Sequence, residues 1–370
     1  MKTVVTFGEI MGRFSTPGFL RFSQSFPGAV QVEFAGAEAN VAASLALLGT
    51  PSRFVTALPK HAIADACVAS LRSRGVDTEH IVRTDNGRLG LYFLEKGASQ
   101  RSGNVIYDRD NASISITPAD SYDWKTIFRD ANWFHVSGIT PALSRLAADT
   151  LIAAMDEAIH RGITISCDLN YRAKLWRWNP ALTPSQLAQS VMPEVVDRVH
   201  WLVAGLDDAS TMLGMSPHHS TSSSHSNPDR LSERIDANFS LAQLLLARFP
   251  RLQYVATSLR SGESSSNNHY GAMLSGRDAA APLLAPLVDG HIAPFHIDTI
   301  VDRVGAGDAF AAGLIHALNA GPELNAPATA LHFATAAAVL AHSFEGDANL
   351  ATTTEIIELM HHRPGGRVRR

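Results

Sequence analysis

The chain has 370 residues, 45% hydrophobic and 18% charged, which excludes a fibrous or largely disordered protein and supplies core for about two domains or one large α/β domain. Lys and Arg number 31 against 35 Asp and Glu, and the formal charge of -4 gives no overall pull toward nucleic acid or an anionic membrane. Cys67 and Cys167 stand far apart with no Cys/His ligand spacing, so neither a disulfide framework nor a structural zinc site is expected.

In chain order, residues 4–7 form a short apolar run closed by Gly8, too short for a signal-peptide core. No later stretch offers the ~20 uninterrupted apolar residues that span a bilayer, so a cytoplasmic protein is expected. Further apolar runs at 164–169, 201–204, 254–257 and 296–300 read as buried strands. Helical patterns lie at 37–48 ending at Gly49, at 143–160 ending at Gly162, and at 241–248 before Pro250. Strands alternating with helices predict a mostly parallel sheet covered on both faces. Residues 19–34 and 89–116 break that rhythm with alternating segments such as 90–95 and 104–109, which predict a small separate sheet. The Ser/His-rich run within 216–230 has nothing to bury and reads as an exposed insertion. Its His218, His219 and His225 have no helix or strand to fix a metal geometry.

The segment 298–313 carries the chemistry. A strand is expected to enter a small-residue turn and then a helix, 309–318, apolar on nearly every face. Gly305 and Gly307 allow close backbone approach, and the first N–H groups of a helix have no intrahelical partner, so Gly305, Ala306 and Gly307 predict an anion hole for a phosphate or a developing phosphoryl charge. Asp308 at that helix start either caps it or, pointing into a cleft, acts as general base on a hydroxyl.

Residues 302–310, Asp-Arg-Val-Gly-Ala-Gly-Asp-Ala-Phe, resemble the C-terminal signature D-T-x-G-A-G-D-x-F of the ribokinase-like (PfkB) carbohydrate kinases, with Arg303 in place of Thr. That family's glycine pair followed by x-x-x-N is matched by Ala35-Gly36-Ala37-Glu38-Ala39-Asn40, with Ala35 in place of the first glycine. The resemblance runs over 4–360 apart from the insertion. It implies an α/β ribokinase-like three-layer αβα sandwich with a mostly parallel central sheet and a small β-sheet lid. The chain, 1–370, is expected to form a single kinase domain, with lid strands within 12–35 and 88–117.

Within the family the chain is most similar to 2-keto-3-deoxygluconate kinases, through Leu89-Gly90-Leu91-Tyr92, Ile106-Tyr107-Asp108-Arg109, residues 135–144, Asp168-Leu169-Asn170-Tyr171-Arg172 and Gly346-Asp347. The resemblance implies that Gly36 and Asn40 hold sugar hydroxyls, that Tyr92, Tyr107 and Asp347 contact the sugar, that Arg109 and Arg172 engage its carboxylate, and that Asp308 is the catalytic base. A sugar acid needs cations, and an Arg fork offers two parallel N–H bonds to a carboxylate. Packing within the small sheet remains open for the two tyrosines.

The nucleotide side departs from the pattern. Where the family carries N-x-x-E this chain has Gly205-Leu206-Asp207-Asp208, leaving Asp208 to attract Mg²⁺ through water. The resemblance places Asn170, Gly205, Gly305 and Gly307 against the nucleotide. Ser258 and Arg260 are phosphate contacts or members of a surface loop, and no Walker P-loop is present. ATP and Mg²⁺ are the implied cofactors, with a monovalent cation allowed beside Asp302. The expected activity is phosphorylation of the primary hydroxyl of 2-keto-3-deoxygluconate or a related sugar acid. A kinase for a neutral sugar such as fructose or ribose, or a non-catalytic sugar- or nucleotide-binding homologue, stands as the alternative. The lid's strand edges predict a homodimer; no nucleic-acid or membrane partner is expected.

Overall fold

The computed structural model describes residues 1–217, 229–262 and 264–361. His218, His219, His225 and most of the Ser/His-rich run lie outside them. In chain order the strands are β1 (Thr3–Phe7), β2 (Met11–Ser15), β3 (Gln31–Ala35), β4 (Ser52–Val55), β5 (Ala57–Pro59), β6 (Val82–Thr84), β7 (Gly90–Glu95) and β8 (Asn104–Asp108). There follow β9 (Ala131–Ser137), β10 (Thr164–Asp168), β11 (Trp201–Val203), β12 (Tyr254–Gly262), β13 (Asn268–Gly276), β14 (Leu283–Ala285), β15 (Leu287–Val288), β16 (His291–Ile292) and β17 (Phe295–Ile297).

The main sheet runs β4-β1-β9-β10-β11-β12-β13-β14, parallel from β4 to β12, with β13 antiparallel to β12 and both β14 and β17 antiparallel to β13. Successive residues of a strand point to opposite faces, and here both faces are apolar. Val5, Phe7, Phe134 and Val136 pack with helices Arg145–His160, Pro184–Val196 and Asp229–Arg248 on one side. Val4 and Trp133 meet Val41 and Leu45 of helix Ala37–Leu47 and Ala311, Ala312 and Ile315 of helix Ala306–Asn319 on the other. The three-layer α/β arrangement with a mostly parallel sheet follows from that alternation.

A separate four-stranded sheet, β3-β2-β7-β8, lies apart from the main one. Its central pair β2 and β7 is parallel and its outer pairs are antiparallel. Glu33, Arg13, Tyr92 and Tyr107 are direct cross-strand neighbours and so form one row across this lid.

Several elements differ from the sequence reading. The 19–34 stretch is strand only from Gln31; a short helix, Phe22–Ser25, precedes it, with Phe22 packed on Phe26 and Phe93. The helix expected over 143–160 is broken at Ser144, whose extended backbone and hydroxyl cap a new helix by accepting from the Ala147 N–H at 3.0 Å. The strand expected at 296–300 ends at Ile297, because the Val301 N–H turns to the His342 carbonyl (2.8 Å) rather than to a strand neighbour. The helix expected over 309–318 starts at Ala306, so Asp308 lies in its first turn and Gly305 occupies the cap.

Helix Ala306–Asn319 can lie close to helix Pro327–Ala341 because Gly313 has no side chain: a Cβ there would come within 3.0 Å of Ala334 Cα and 3.1 Å of Ala337 Cβ. Gly313→Leu is therefore expected to cost about 1–3 kcal/mol through overpacking, read as a lower denaturation midpoint. Gly321→Ala, at a position with nothing within 4 Å, serves as the neutral control; equal midpoints for the two variants would refute the close helix contact.

Candidate active site

The C-terminal ends of the parallel strands and the inner face of the lid enclose a cleft of about 470 Å³. This is the position at which open parallel sheets present ligand sites, because loops rather than helices leave the strands there. At its base Gly305 adopts φ +86, and a Cβ at that position would run into the Asp347 carbonyl. Only glycine fits this turn, which leads directly into helix Ala306–Asn319. Gly305 and Gly307 line the cleft while Ala306 is buried against Ala309 and Ala341. The unpaired first-turn amides and the positive end of the helix therefore meet the cleft here.

Asp308 sits in that first turn, 9% exposed, with Oδ2 accepting from Asn40 Nδ2 at 2.8 Å. The side-chain oxygen of Asn40 is taken by the Gly36 N–H (3.3 Å), which aims its NH₂ group at Asp308. Burial pushes the Asp308 carboxyl up to about 8; the Asn40 bond opposes this, and the charges of Asp168, Asp347 and Glu38 add to it. An acid so placed holds a proton readily and gives it up near neutral pH.

Asp168 ends β10 beside this turn, a residue the sequence reading did not single out. Its signal was a charged residue at the C-terminal end of an otherwise apolar run. Burial and then the neighbouring Asp208 push its carboxyl up to about 7, against the opposing pull of Arg172 and Arg260. Asp208 is also raised, chiefly by burial. The two carboxylates offer the hard oxygen donors that suit Mg²⁺, though among the described residues no group of three or more His, Cys, Asp or Glu forms a metal cage.

Asn170, Arg172, Gly205, Ser258, Arg260 and Arg303 all line the cleft. Asn170 takes up φ +44, the left-handed conformation that Asn tolerates, so the chain turns sharply out of β10. Among the described residues Arg172 and Arg260 have no carboxylate within 4 Å: Arg172 bonds only the Tyr171 carbonyl (3.0 Å), and the Arg260 guanidinium lies 5.1 Å from the centre of the Tyr270 ring. Arg303 donates to the carbonyls of Ser264 (2.6 Å) and Ser265 (3.0 Å). It thereby holds a turn whose Ser265 N–H reaches the Ser99 carbonyl of the lid (2.8 Å). A Cβ at Gly205 would meet nothing within 4 Å, so that stretch of wall is open.

The lid side differs more from expectation. Arg109 lines the cleft but is buried and paired with Glu9, its Nε donating to Oε2 at 2.8 Å. Its charge is therefore already balanced by a direct ion pair, which Arg172 lacks among the described residues although it pulls on Asp168 and Asp208 from farther away. Gly36 is required by the backbone, since a Cβ would strike the Glu9 carbonyl. Tyr92 and Tyr107 line the cleft with ring centres 6.2 Å apart, and the Tyr92 hydroxyl donates to Asp347 Oδ2 at 2.8 Å. Asp347 lines the cleft too, yet it and Asp302 both bind the guanidinium of Arg13, a fully buried lid residue that the sequence reading missed. Glu38, also missed, accepts from the Ser137 hydroxyl (2.6 Å) and the Thr140 hydroxyl (3.1 Å) and ties helix Ala37–Leu47 to the end of β9.

The sequence pattern of the pfkB family carbohydrate kinases matches residues 1–229 and 287–354. A 2-dehydro-3-deoxygalactonokinase of Haloferax volcanii is 29% identical over 98% of both chains. The crystal structure of a 2-dehydro-3-deoxygluconokinase from Thermotoga maritima superposes with a TM-score of 0.84 and 36% identity, covering 97% of this chain and 98% of that one. A fructokinase from Xylella fastidiosa, solved with bound ATP, shares the fold at a TM-score of 0.71 and 20% identity, over 98% of this chain and 99% of its own.

The raised carboxyl of Asp308 fixes the sign of a stability effect. The folded protein keeps a proton up to about pH 8 that the unfolded chain releases near 3.8, so this group's contribution is complete below 3.8 and is lost as pH rises through about 8. Asp308→Asn cannot ionise and is expected to melt at a higher temperature than the parent above pH 8, with the difference vanishing toward pH 4. Melting curves of the two proteins that stay parallel across that range would show that Asp308 is not destabilised by burial.

Proposed function

The chain belongs to the pfkB family of carbohydrate kinases, and on that premise we propose that it transfers the γ-phosphoryl group of ATP to the primary hydroxyl of a 2-keto-3-deoxy sugar acid, either 2-keto-3-deoxygluconate or 2-keto-3-deoxygalactonate. The carrying observation is the meeting, in one cleft, of Asp308, the amides that follow Gly305, and the Arg172 guanidinium with no ion-pair partner among the described residues.

Asp308 accepts the proton of the primary hydroxyl as that oxygen bonds to the γ-phosphorus. The bond from the γ-phosphorus to the β–γ bridging oxygen breaks, and ADP departs with the electron pair. Charge on the transferring group is met by the first-turn amides of helix Ala306–Asn319 and by Arg260. Ser258, Asn170 and the backbone at Gly205 line the nucleotide side. Asp168 and Asp208 would hold Mg²⁺, whose chemistry here is to neutralise phosphate charge; burial and then the neighbouring Asp208 raise Asp168 to about 7, and a cation between the two acids would relieve both. Arg172 takes the sugar's carboxylate, Tyr92 and Tyr107 pack against its carbon chain, and Arg109, neutralised by Glu9, braces the Tyr107 ring at 5.3 Å from its centre.

The whole chain acts as one kinase unit with the lid above the cleft. The lid's outer strands β3 and β8 have open edges, and Phe19, Leu20, Phe26, Val32 and Ile106 are exposed around them; pairing of two lids into a homodimer covers both. Among the described residues no helix is long and apolar enough to cross a membrane, in keeping with a cytoplasmic enzyme.

Mg²⁺- and ATP-dependent ADP release, run with each of the two 2-keto-3-deoxy acids, with fructose, with ribose and without sugar, tests the acceptor. Turnover confined to the acids is expected; turnover only with a neutral sugar overturns the acid pocket, and silence throughout points to a binding protein. Asp308→Asn is expected to lose about 10²–10⁴-fold in kcat while keeping substrate binding. Arg172→Ala should raise the KM of the acid at least about tenfold and leave that of ATP nearly unchanged, the pattern of a lost charge-assisted contact.

A further inference from the structure

The row Glu33, Arg13, Tyr92 and Tyr107 across the lid ends in the two tyrosines of the cleft wall, yet its centre is turned to other work. Arg13 does not line the cleft. Its guanidinium is completely buried, with Nη1 bound to Asp347 Oδ1, Nη2 bound to Asp302 Oδ2, and Nε 3.9 Å from Glu33. Each carboxylate it binds also shapes the anion-binding turn. Asp302 Oδ1 accepts the Val304 N–H at 3.1 Å, and the Asp347 carbonyl lies against Gly305 so closely that no Cβ could intervene. Tyr92, next to Arg13 in the row, donates to the second oxygen of Asp347. One lid cation thus grips both segments that fix the turn preceding Asp308.

A buried ion cluster of this kind contributes little net stability compared with apolar packing, because desolvation offsets most of its attraction. It does impose a geometry: the planar fork accepts the two carboxylates in only one relative placement. We propose that Arg13 is a positioning residue of the phosphotransfer centre, locking the turn 302–307 into its anion-binding shape when the lid is seated over the cleft. The lid sheet that holds the sugar-facing tyrosines on β7 and β8 then also, through Arg13 on β2, assembles the phosphate side, so an unseated lid leaves the anion hole unformed. This rests on the phosphotransfer reading of the cleft but not on which acceptor it takes.

The test measures Arg13→Ala and Arg13→Lys beside the parent, with whichever acceptor the parent turns over. A parent inactive on every acceptor refutes the proposed function; the ratios between variant and parent address Arg13 alone. Arg13→Ala is expected to lose about a hundredfold in kcat, the scale of a misplaced catalytic group, with both KM values within about threefold of the parent. Because the truncation leaves a guanidinium-sized space between two carboxylates, added guanidinium chloride should restore turnover at least about tenfold where equal sodium chloride does not. Arg13→Lys, which keeps the charge but not the fork, should fall between the two. A kcat for Arg13→Ala within about threefold of the parent, or a loss confined to KM, overturns the proposal. Should Arg13→Ala not fold, Arg13→Lys with a normal melting transition decides: parental kcat overturns the positioning role, and a tenfold or greater loss supports it.

Discussion

Burying a carboxylate costs several kcal/mol unless its charge is met by a partner, and this fold collects acids around a single cleft. Glu9, Glu38, Asp302, Asp308 and Asp347 are all buried, with Asp168 and Asp208 at the cleft wall. Access to the cleft separates them: Asp168, Asp208, Asp308 and Asp347 line it, and Glu9, Glu38 and Asp302 do not. Glu9 is held by Arg109, Asp302 and Asp347 by Arg13, and Glu38 by the hydroxyls of Ser137 and Thr140. Asp308 receives only the neutral amide of Asn40, and Asp168 faces Asp208; burial first of all raises their carboxyls to about 8 and about 7, as it also raises those of Glu9, Glu38 and Asp347. A raised acid that also lines the cleft is placed to exchange a proton or attract a cation near neutral pH.

The sheet explains why they meet. Parallel strands send their C-terminal ends to the same side, so Glu9 after β1, Ser137 at the end of β9, Asp168 at the end of β10 and Asp208 beyond β11 come together although they are scattered through the first two thirds of the chain. The last third supplies the helix start at Gly305, and helix Ala37–Leu47 brings Asn40 across the cleft to Asp308. The lid closes the remaining side and contributes cations as well as tyrosines. Arg13 and Lys96 both reach acids of the body, at Asp302, Asp347 and Glu345.

Much of this was legible in the residues. The apolar runs at 4–7, 164–169 and 201–204 marked strands because both sheet faces are covered, so no polar alternation dilutes the signal. The turn at Gly305 was legible because only glycine allows that backbone. Strand β9 was harder to read: His135, buried and hydrogen-bonded to Ser166 at 2.8 Å, interrupts an otherwise apolar run. Arg303 looked like a departure on the nucleotide side, whereas it pins the turn at Ser264 and Ser265 to the lid.

Sequence by itself determined the periodicities, the glycine turn and the identity of Asp308 as the acid at a buried helix start, since each depends on residues close together along the chain. It also carried the two family signatures, and hence the class of reaction. Only the tertiary structure decided which charges are free. Arg109 and Arg172 look alike in sequence, yet Glu9, 100 positions away, neutralises the first while the second has no ion-pair partner among the described residues. Arg13 shows no pattern of its own, because its partners lie 289 and 334 positions downstream. Electrostatic roles are set by distance in space and by burial, and neither is fixed until the chain has folded.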